Sequence, residues 1–143
     1  MSEDSKKMIE LELTVLIRLL TSITSSKRKE SLDRAAYLLL HQVSVQGSSG
    51  VKALADELKL DISTVSRQAA SLEHKGYVEK VPDPQDGRAF FYKMTELGEQ
   101  ELVQHRQERL NGITNLLNGW SDEECREFGQ LLTKFNHAIK ERK

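Results

Sequence analysis

The chain has 143 residues, 38% hydrophobic and 30% charged, with a formal net charge of −1 and only two prolines, which argues against a disordered or loop-rich protein. Its single cysteine excludes an internal disulfide, as expected in a reducing cytoplasm. No apolar run reaches the ~20 residues of a membrane helix and no basic-then-apolar leader opens the chain, so we expect no membrane partner and a cytoplasmic location.

The first predicted element is a long amphipathic helix that fades into serines and a basic run at 27–29. Its apolar residues recur at steps of four and three, which indicates a continuous seam: Ile9, Leu13, Leu16, Leu20 and Ile23. A second helix is predicted over 32–46. The sequence "GSSG" at 47–50 is predicted to be a flexible connection whose serines cap the following helix.

A short helix over 51–59 and a second over 61–75 come next, separated by a tight turn. Asp61 is expected to cap the second helix, and Gly76 to end it in a left-handed conformation. At 100° per residue, four apolar residues of this helix share a sector of about 80° and predict its buried side: Ile62, Val65, Ala69 and Leu72.

The other side of helix 61–75 is unusually rich in small polar residues. Ser63 and Arg67 lie roughly opposite the apolar sector, Thr64 lies beside them, and Ser66 and Gln68 occupy the flanks. Short side chains let a backbone approach a partner closely, and hydroxyl groups at a helix N-terminus suit phosphate oxygens. Arginine and glutamine can hydrogen-bond guanine and adenine in a major groove, so this face predicts DNA contact. The alternative is an ordinary solvated face.

After Gly76 the pattern changes to two β-prone runs around "PDPQDGR", which predicts a hairpin. Thr95 is expected to cap a long helix that ends near residue 118. "SDEE" at 121–124 is a capping box that starts a last helix. The apolar residues of that helix again recur at steps of three and four: Cys125, Phe128, Leu132, Phe135 and Ile139.

This order of elements predicts a mainly α protein built on a winged helix-turn-helix, a three-helix core plus a β-hairpin wing. We divide it into an N-terminal dimerisation helix (1–30), a DNA-binding region (31–94) and C-terminal dimerisation helices (95–143), together one intertwined domain. A winged helix of roughly 65 residues is too small to cover both terminal seams. A second copy of the chain is the expected cover, so we predict a homodimer.

Residues 54–100 resemble the MarR family of bacterial transcription regulators. The resemblance depends on "STVSRQAASLEHKGYV", then "DPQDGR", and after six residues "TELG". It implies that helix 61–75 is a recognition helix for the major groove and that the wing, 82–88, reaches the minor groove. It implies DNA-binding roles for seven residues: Ser63, Thr64, Ser66, Arg67, Gln68, Asp86 and Arg88.

Within that resemblance, Arg88 would enter the minor groove, oriented by Asp86. The protein would be a repressor that binds an inverted-repeat operator in double-stranded DNA and is relieved by a small aromatic or phenolic effector. One departure concerns the turn before the recognition helix, where the family usually has glycine and this chain has Lys59. A non-glycine residue at positive φ costs roughly 1 kcal/mol.

Other functions are considered beside this one. A winged helix that binds proteins without DNA is the alternative, because residues 59–94 carry six Lys/Arg against five Asp/Glu. No spacing indicates a catalytic nucleophile, a phosphate-binding glycine loop or a metal site, so we predict neither an enzyme nor a cofactor. Cys125 lies in the apolar stripe of the last helix and is predicted to be a buried small hydrophobe rather than an oxidant sensor.

Overall fold

The computed structural model describes residues 2–26 and 32–142, which form two compact units. The first unit contains helix α1 (Glu3–Ser26), and apolar side chains of its seam such as Ile9, Leu16 and Leu20 are exposed. The predicted N-terminal helix is therefore present. The side chain of Ile23, the basic run 27–29 and the predicted boundary between residues 30 and 31 lie outside the described residues.

The second unit runs from Leu32 onward and contains five helices and a small sheet. In chain order its elements are α2 (Arg34–Gln46), β1 (Ser48–Ser49), α3 (Val51–Leu58), α4 (Ile62–His74), β2 (Val78–Asp83), β3 (Asp86–Met94), α5 (Glu96–Leu116) and α6 (Asp122–Glu141). This is the predicted mainly α winged helix-turn-helix. None of the described helices is both long enough and apolar enough to cross a membrane.

The hydrophobic core lies where α2, α3 and α4 meet one another, the sheet and the first part of α5. Its buried residues are aliphatic except for one tyrosine: Leu32, Leu39, Leu40, Val43, Leu54, Ala55, Val65, Ala69, Leu72, Val78, Tyr92 and Leu102. Three of the four residues predicted for the buried side of α4 are in this list. Ile62 is not: it is 53% exposed, because it is the first helical residue and lies beyond the elements that cover the rest of the stripe.

The sheet has three antiparallel strands in the order β1-β3-β2. Strand β1 pairs Ser48 with Lys93 and Ser49 with Tyr92, so the prediction of a flexible connection at 47–50 was wrong. The serines do not cap α3 either, since its N-cap is Gly50 and has no side-chain hydrogen bond. A two-residue strand is too short to produce a period, and its partner lies more than 40 residues later.

Side-chain caps fix the starts of α5 and α6 as predicted. The Thr95 hydroxyl accepts a hydrogen bond from the Gly98 N–H at 3.0 Å. At α6 the Ser121 hydroxyl accepts from the Glu124 N–H at 3.0 Å, while the Glu124 carboxylate accepts from the Ser121 N–H at 2.9 Å. Asp61 is the N-cap residue of α4, but its side chain makes no capping bond, so the predicted cap is right in position and wrong in mechanism.

Helix α6 buries none of its residues in the single chain. Phe128, Leu132, Phe135 and Ile139 are all at least 40% exposed, although their spacing places them on one face. Cys125, predicted to be buried, is half-buried in the single chain. Among the described residues of the second unit, the apolar face of α6 is therefore largely exposed, with Phe128 contacting the Trp120 ring just before the helix.

Candidate nucleic-acid interface

The outer face of α4 carries the first group of predicted site residues. Ser63, Ser66 and Arg67 are exposed, and Thr64 is half-buried at the edge. Among the described residues, the Arg67 guanidinium has no hydrogen bond or ion pair. Five N–H donors on a planar group therefore remain available to an external acceptor.

Gln68 differs from these four residues. It is half-buried, and its amide oxygen is buried without a hydrogen-bond donor among the described residues. A bidentate contact to adenine needs both the oxygen and the NH₂ group to face the base. The Gln68 side chain must therefore rotate before it can make that contact, whereas Arg67 is already exposed.

The turn between α3 and α4 contains Lys59 in a left-handed conformation, with φ 57° and ψ 47°. It is the single non-glycine residue with positive φ in the part of the chain that the structure describes. Its N–H and that of Leu60 both reach the Ala55 carbonyl, which ends α3 and turns the chain into Asp61. Lys59, where the related family usually has glycine, thus has the left-handed backbone conformation that the resemblance implied.

The wing is the hairpin of β2 and β3, and its tip is a two-residue turn between Asp83 and Asp86. The Asp83 carboxylate accepts from the Gln85 N–H at 2.9 Å, which fixes the turn. Asp86 Oδ1 accepts from the Arg88 N–H at 3.0 Å and lies 3.9 Å from Arg88 Nε. The Arg88 side chain is 96% exposed. Asp86 thus contacts both the backbone and the guanidinium of Arg88, the pairing that the sequence suggested.

Lower on the wing, Lys80 and the aromatic residues of β3 form a small cluster. Lys80 Nζ lies 4.5 Å from the centre of the Phe90 ring and 3.9 Å from the Glu73 carboxylate of α4. Phe90 packs edge-on against Tyr92. Burial, followed by the nearby Glu73 carboxylate, raises the pKa of the Tyr92 phenol, so this hydroxyl stays neutral at the base of the wing.

The end of α4, the base of the wing and the start of α5 are joined at one point. Gly76 has φ 84°, and the Tyr77 N–H donates to the Leu72 carbonyl, which reverses the chain. The Thr95 hydroxyl donates to the Gly76 carbonyl at 2.6 Å, and the Thr95 N–H donates to the Tyr77 carbonyl at 3.0 Å. We call this group of residues, Gly76, Tyr77, Thr95 and Gly98, the wing junction.

Gly98 completes the wing junction by its lack of a side chain. A Cβ atom at this position would lie 2.0 Å from the Tyr77 carbonyl oxygen, a distance that real contacts do not allow. Two residues of the "TELG" segment therefore have structural roles, since the Thr95 hydroxyl bonds Gly76 just after α4 and Gly98 leaves room for the backbone of Tyr77. The sequence identified Thr95 as a cap but did not reveal the role of Gly98, because that contact joins residues 21 apart.

The predicted site residues thus form two groups, an exposed α4 face and an exposed wing tip, both held by the wing junction. No group of three His, Cys, Asp or Glu side chains suited to a metal ion occurs among the described residues. The arrangement offers hydroxyl and guanidinium donors to an anionic partner. It contains no nucleophile paired with a base.

Comparisons with known proteins agree with this arrangement. The model of the MarR family matches residues 32–90. An uncharacterized HTH-type transcriptional regulator of Bacillus subtilis, YxaD, is 43% identical over 139 residues, covering 96% of this chain and 97% of the relative.

Two solved structures show the same fold. A MarR family protein from Bacillus stearothermophilus superimposes with a TM-score of 0.77 at 21% identity, covering 99% of both chains. Streptococcus pneumoniae FabT, solved in complex with DNA, superimposes with a TM-score of 0.73 at 20% identity, covering 97% of this chain and 99% of FabT. The extent of the match to YxaD, together with the family model, establishes that this protein is a member of the MarR family of winged helix-turn-helix transcriptional regulators.

Proposed function

We propose that the protein is a homodimeric, sequence-specific DNA-binding transcriptional regulator, a repressor relieved by a small ligand. The observation that carries this proposal is the exposed donor face of α4, with Arg67 unpaired among the described residues, held by the wing junction to a wing whose tip presents Arg88. FabT, which shares the fold, was solved with DNA. A regulator of this kind acts in the cytoplasm.

In this proposal α4 enters the major groove. Ser63, Thr64 and Ser66 bind phosphate oxygens near the N-terminus of the helix, where the backbone N–H groups add positive potential. Arg67 reads a guanine edge, and Gln68 reads adenine after its amide rotates. The roles follow from the length and position of each side chain on the helix.

The wing, residues 82–88, lies along the minor groove. A narrow minor groove concentrates negative potential and attracts a guanidinium group. Arg88 is suited to that position because it is almost fully exposed. The Asp86 carboxylate, 3.9 Å from Arg88 Nε, would limit the directions that the guanidinium takes and so lower the conformational entropy lost on binding.

The proposed dimer is formed by the terminal helices. The uncovered apolar face of α6 and the exposed seam residues of α1 are the surfaces that a second copy would bury. Two α4 helices would then enter successive major grooves about 34 Å apart, and the operator would be an inverted repeat.

For the effector we propose a small aromatic or phenolic anion bound between α2 and α5. Two arginines and an aromatic cluster meet there. Arg106 Nη2 lies 3.0 Å from His41 Nδ1, Arg109 Nε lies 2.7 Å from His105 Nε2, and the Arg109 guanidinium lies 4.9 Å from the centre of the Tyr37 ring. Cationic and aromatic groups side by side suit a planar anion.

The test of the proposed function is selection of bound sequences from random duplex DNA, followed by affinity measurements over a range of salt. We expect an inverted repeat, and affinity that falls steeply with salt because several counterions are released. A winged helix that binds only proteins would select no sequence, and a largely apolar protein interface would respond weakly to salt. The family membership does not favour that alternative.

A further inference from the structure

Ile62 is an exposed apolar residue at the end of α4 that is proposed to enter DNA. Its sequence pattern predicts a core residue, yet it is 53% exposed. Within α4, which the structure describes in full, it is the one large apolar side chain with this exposure. The other exposed residues of the helix are polar or small: Ser63, Ser66, Arg67, Ala70, Ser71 and His74.

The position of Ile62 on the helix brings it next to the polar face. At 100° per residue it lies about 40° from Ser66, one turn away, and about 100° from Ser63. Val65, Ala69 and Leu72 occupy the buried side, so Ile62 lies at the border between the core and the outer face. Because helical side chains lean toward the N-terminus, Ile62 extends past the first turn, at the end that leads into the groove.

We infer that Ile62 reads the 5-methyl group of a thymine in each half-site of the operator, an inference that rests on the proposed DNA-binding function. In the major groove that methyl group is the main apolar feature of a base edge, and apolar side chains recognise it. The aliphatic side chain of Ile62, placed among hydroxyl and guanidinium groups, is therefore best matched in the major groove by this thymine methyl group. A cytosine methylated at carbon 5 carries the same group in the same place.

The inference separates two kinds of contact within one helix. Ser63 and Ser66 hydrogen-bond to phosphates and are insensitive to the base sequence. Ile62 makes no hydrogen bond and responds to a single methyl group on a base. Burying one methyl is worth about a fourfold change in affinity per half-site, and about fifteenfold for both half-sites together.

The experiment starts from the operator that random selection provides and replaces its thymines one symmetric pair at a time by uracil, which removes only the methyl group. At one pair we expect wild-type affinity to fall about fifteenfold. Ile62→Ala should bind the original operator more weakly and should lose its sensitivity to uracil at that pair. Ile62→Ser, which carries no methyl group and should also lose the response to uracil, serves as a second variant if Ile62→Ala is poorly folded by circular dichroism.

Ser66→Ala is the matched control, because it alters the neighbouring residue on the same helix. It should weaken binding to every duplex and keep the full response to uracil. A wild-type protein that binds its operator but ignores uracil at every position overturns the inference and leaves the proposed function standing, as does an Ile62→Ala variant that keeps the response. A protein that selects no duplex at all overturns the proposed function, and the inference with it.

Discussion

Helices α4 and α6 carry the same kind of sequence pattern and have opposite surroundings. Each has apolar residues at steps of three and four along one face. In α4 the residues of this face from Val65 onward are at most 2% exposed, while those of α6 from Phe128 onward are all at least 40% exposed. The comparison teaches that periodicity determines which face of a helix is apolar and leaves open what covers it.

The difference separates two tasks in the molecule. The α4 face is covered within its own chain, so it stabilises the fold that presents the polar side of the helix. The apolar residues of α6 are largely exposed in the single chain, so in the proposed dimer their burial would depend on a second molecule and hence on concentration. Each of the following predictions tests one side of this contrast, starting with the largest effect.

The largest effect is expected from a charge on the α6 face. Phe135→Glu would bury an unpaired carboxylate in both copies of the proposed interface, at a cost of about 3–5 kcal/mol each. We expect the dimer to dissociate or unfold, with the dissociation constant raised more than about 100-fold. Sedimentation equilibrium measures the mass and circular dichroism the helix content.

Gln130→Glu is the control for that variant, since it adds the same charge on the opposite side of α6, one turn before Lys134. It should leave the dimer intact. If Phe135→Glu also remains dimeric and folded, α6 is not the interface.

A cavity on the buried side of α4 should lower the stability of the folded chain, independently of any second copy. Leu72 is 1% exposed, so Leu72→Ala should lower the free energy of unfolding by about 2–5 kcal/mol. Urea denaturation over a range of protein concentrations checks this, and the loss should be similar at each concentration. Ser71→Ala, a change at the exposed neighbour, should alter stability by less than about 0.5 kcal/mol. Comparable losses from both substitutions would contradict the assigned core.

Removing the Arg88 side chain at the wing tip should lower the affinity for DNA and leave the fold and the mass of the protein unchanged. Arg88→Ala should weaken operator binding by about 1–3 kcal/mol, because one guanidinium–groove contact is lost, without changing the mass of the dimer. Fluorescence anisotropy with labelled operator measures the affinity. Arg142→Ala, which removes an equal charge after the end of α6, should have little effect. Unchanged affinity for the Arg88 variant would remove the wing from the mechanism.

The smallest effect concerns the turns that precede the two helices. The turn before α6 uses Gly119 at φ 90°, whereas the turn before α4 uses Lys59 at φ 57°. Lys59→Gly should stabilise the protein by about 0.5–1 kcal/mol, since it removes left-handed strain but adds unfolded-state entropy. Thermal unfolding followed by circular dichroism would detect the change. Lys59→Ala keeps the strain and should give no gain, so an equal gain from both would refute the explanation.

The sequence was sufficient for features that depend on local spacing. The α4 and α6 stripes and the Ser121 capping box join residues within four positions. The left-handed Lys59 and the Asp86–Arg88 contact, which the family resemblance implied, are also present in the structure. The chain order of the elements and the family motifs then gave the fold. These features can be recognised from the sequence without any knowledge of the tertiary structure.

The sequence failed where a distant or absent partner decides the outcome. Strand β1 exists only because β3 pairs with it, and Gly98 is needed only because Tyr77 lies against it. Ile62 belongs to the apolar stripe by period but lies at the helix start, beyond the residues that cover the stripe. Gln68 was expected to face a partner and instead buries its amide oxygen. The roles of the seven predicted site residues stay predictions.

The wing junction couples the two surfaces that we propose contact DNA. Since Thr95 and Gly98 contact Gly76 and Tyr77, the two residues that lead from the end of α4 into β2, we expect a bulkier residue in the opening turn of α5 to tilt the hairpin relative to the helix. Mutations on the side of the protein remote from the duplex can therefore alter which operators it accepts, without exchanging any atom that touches a base.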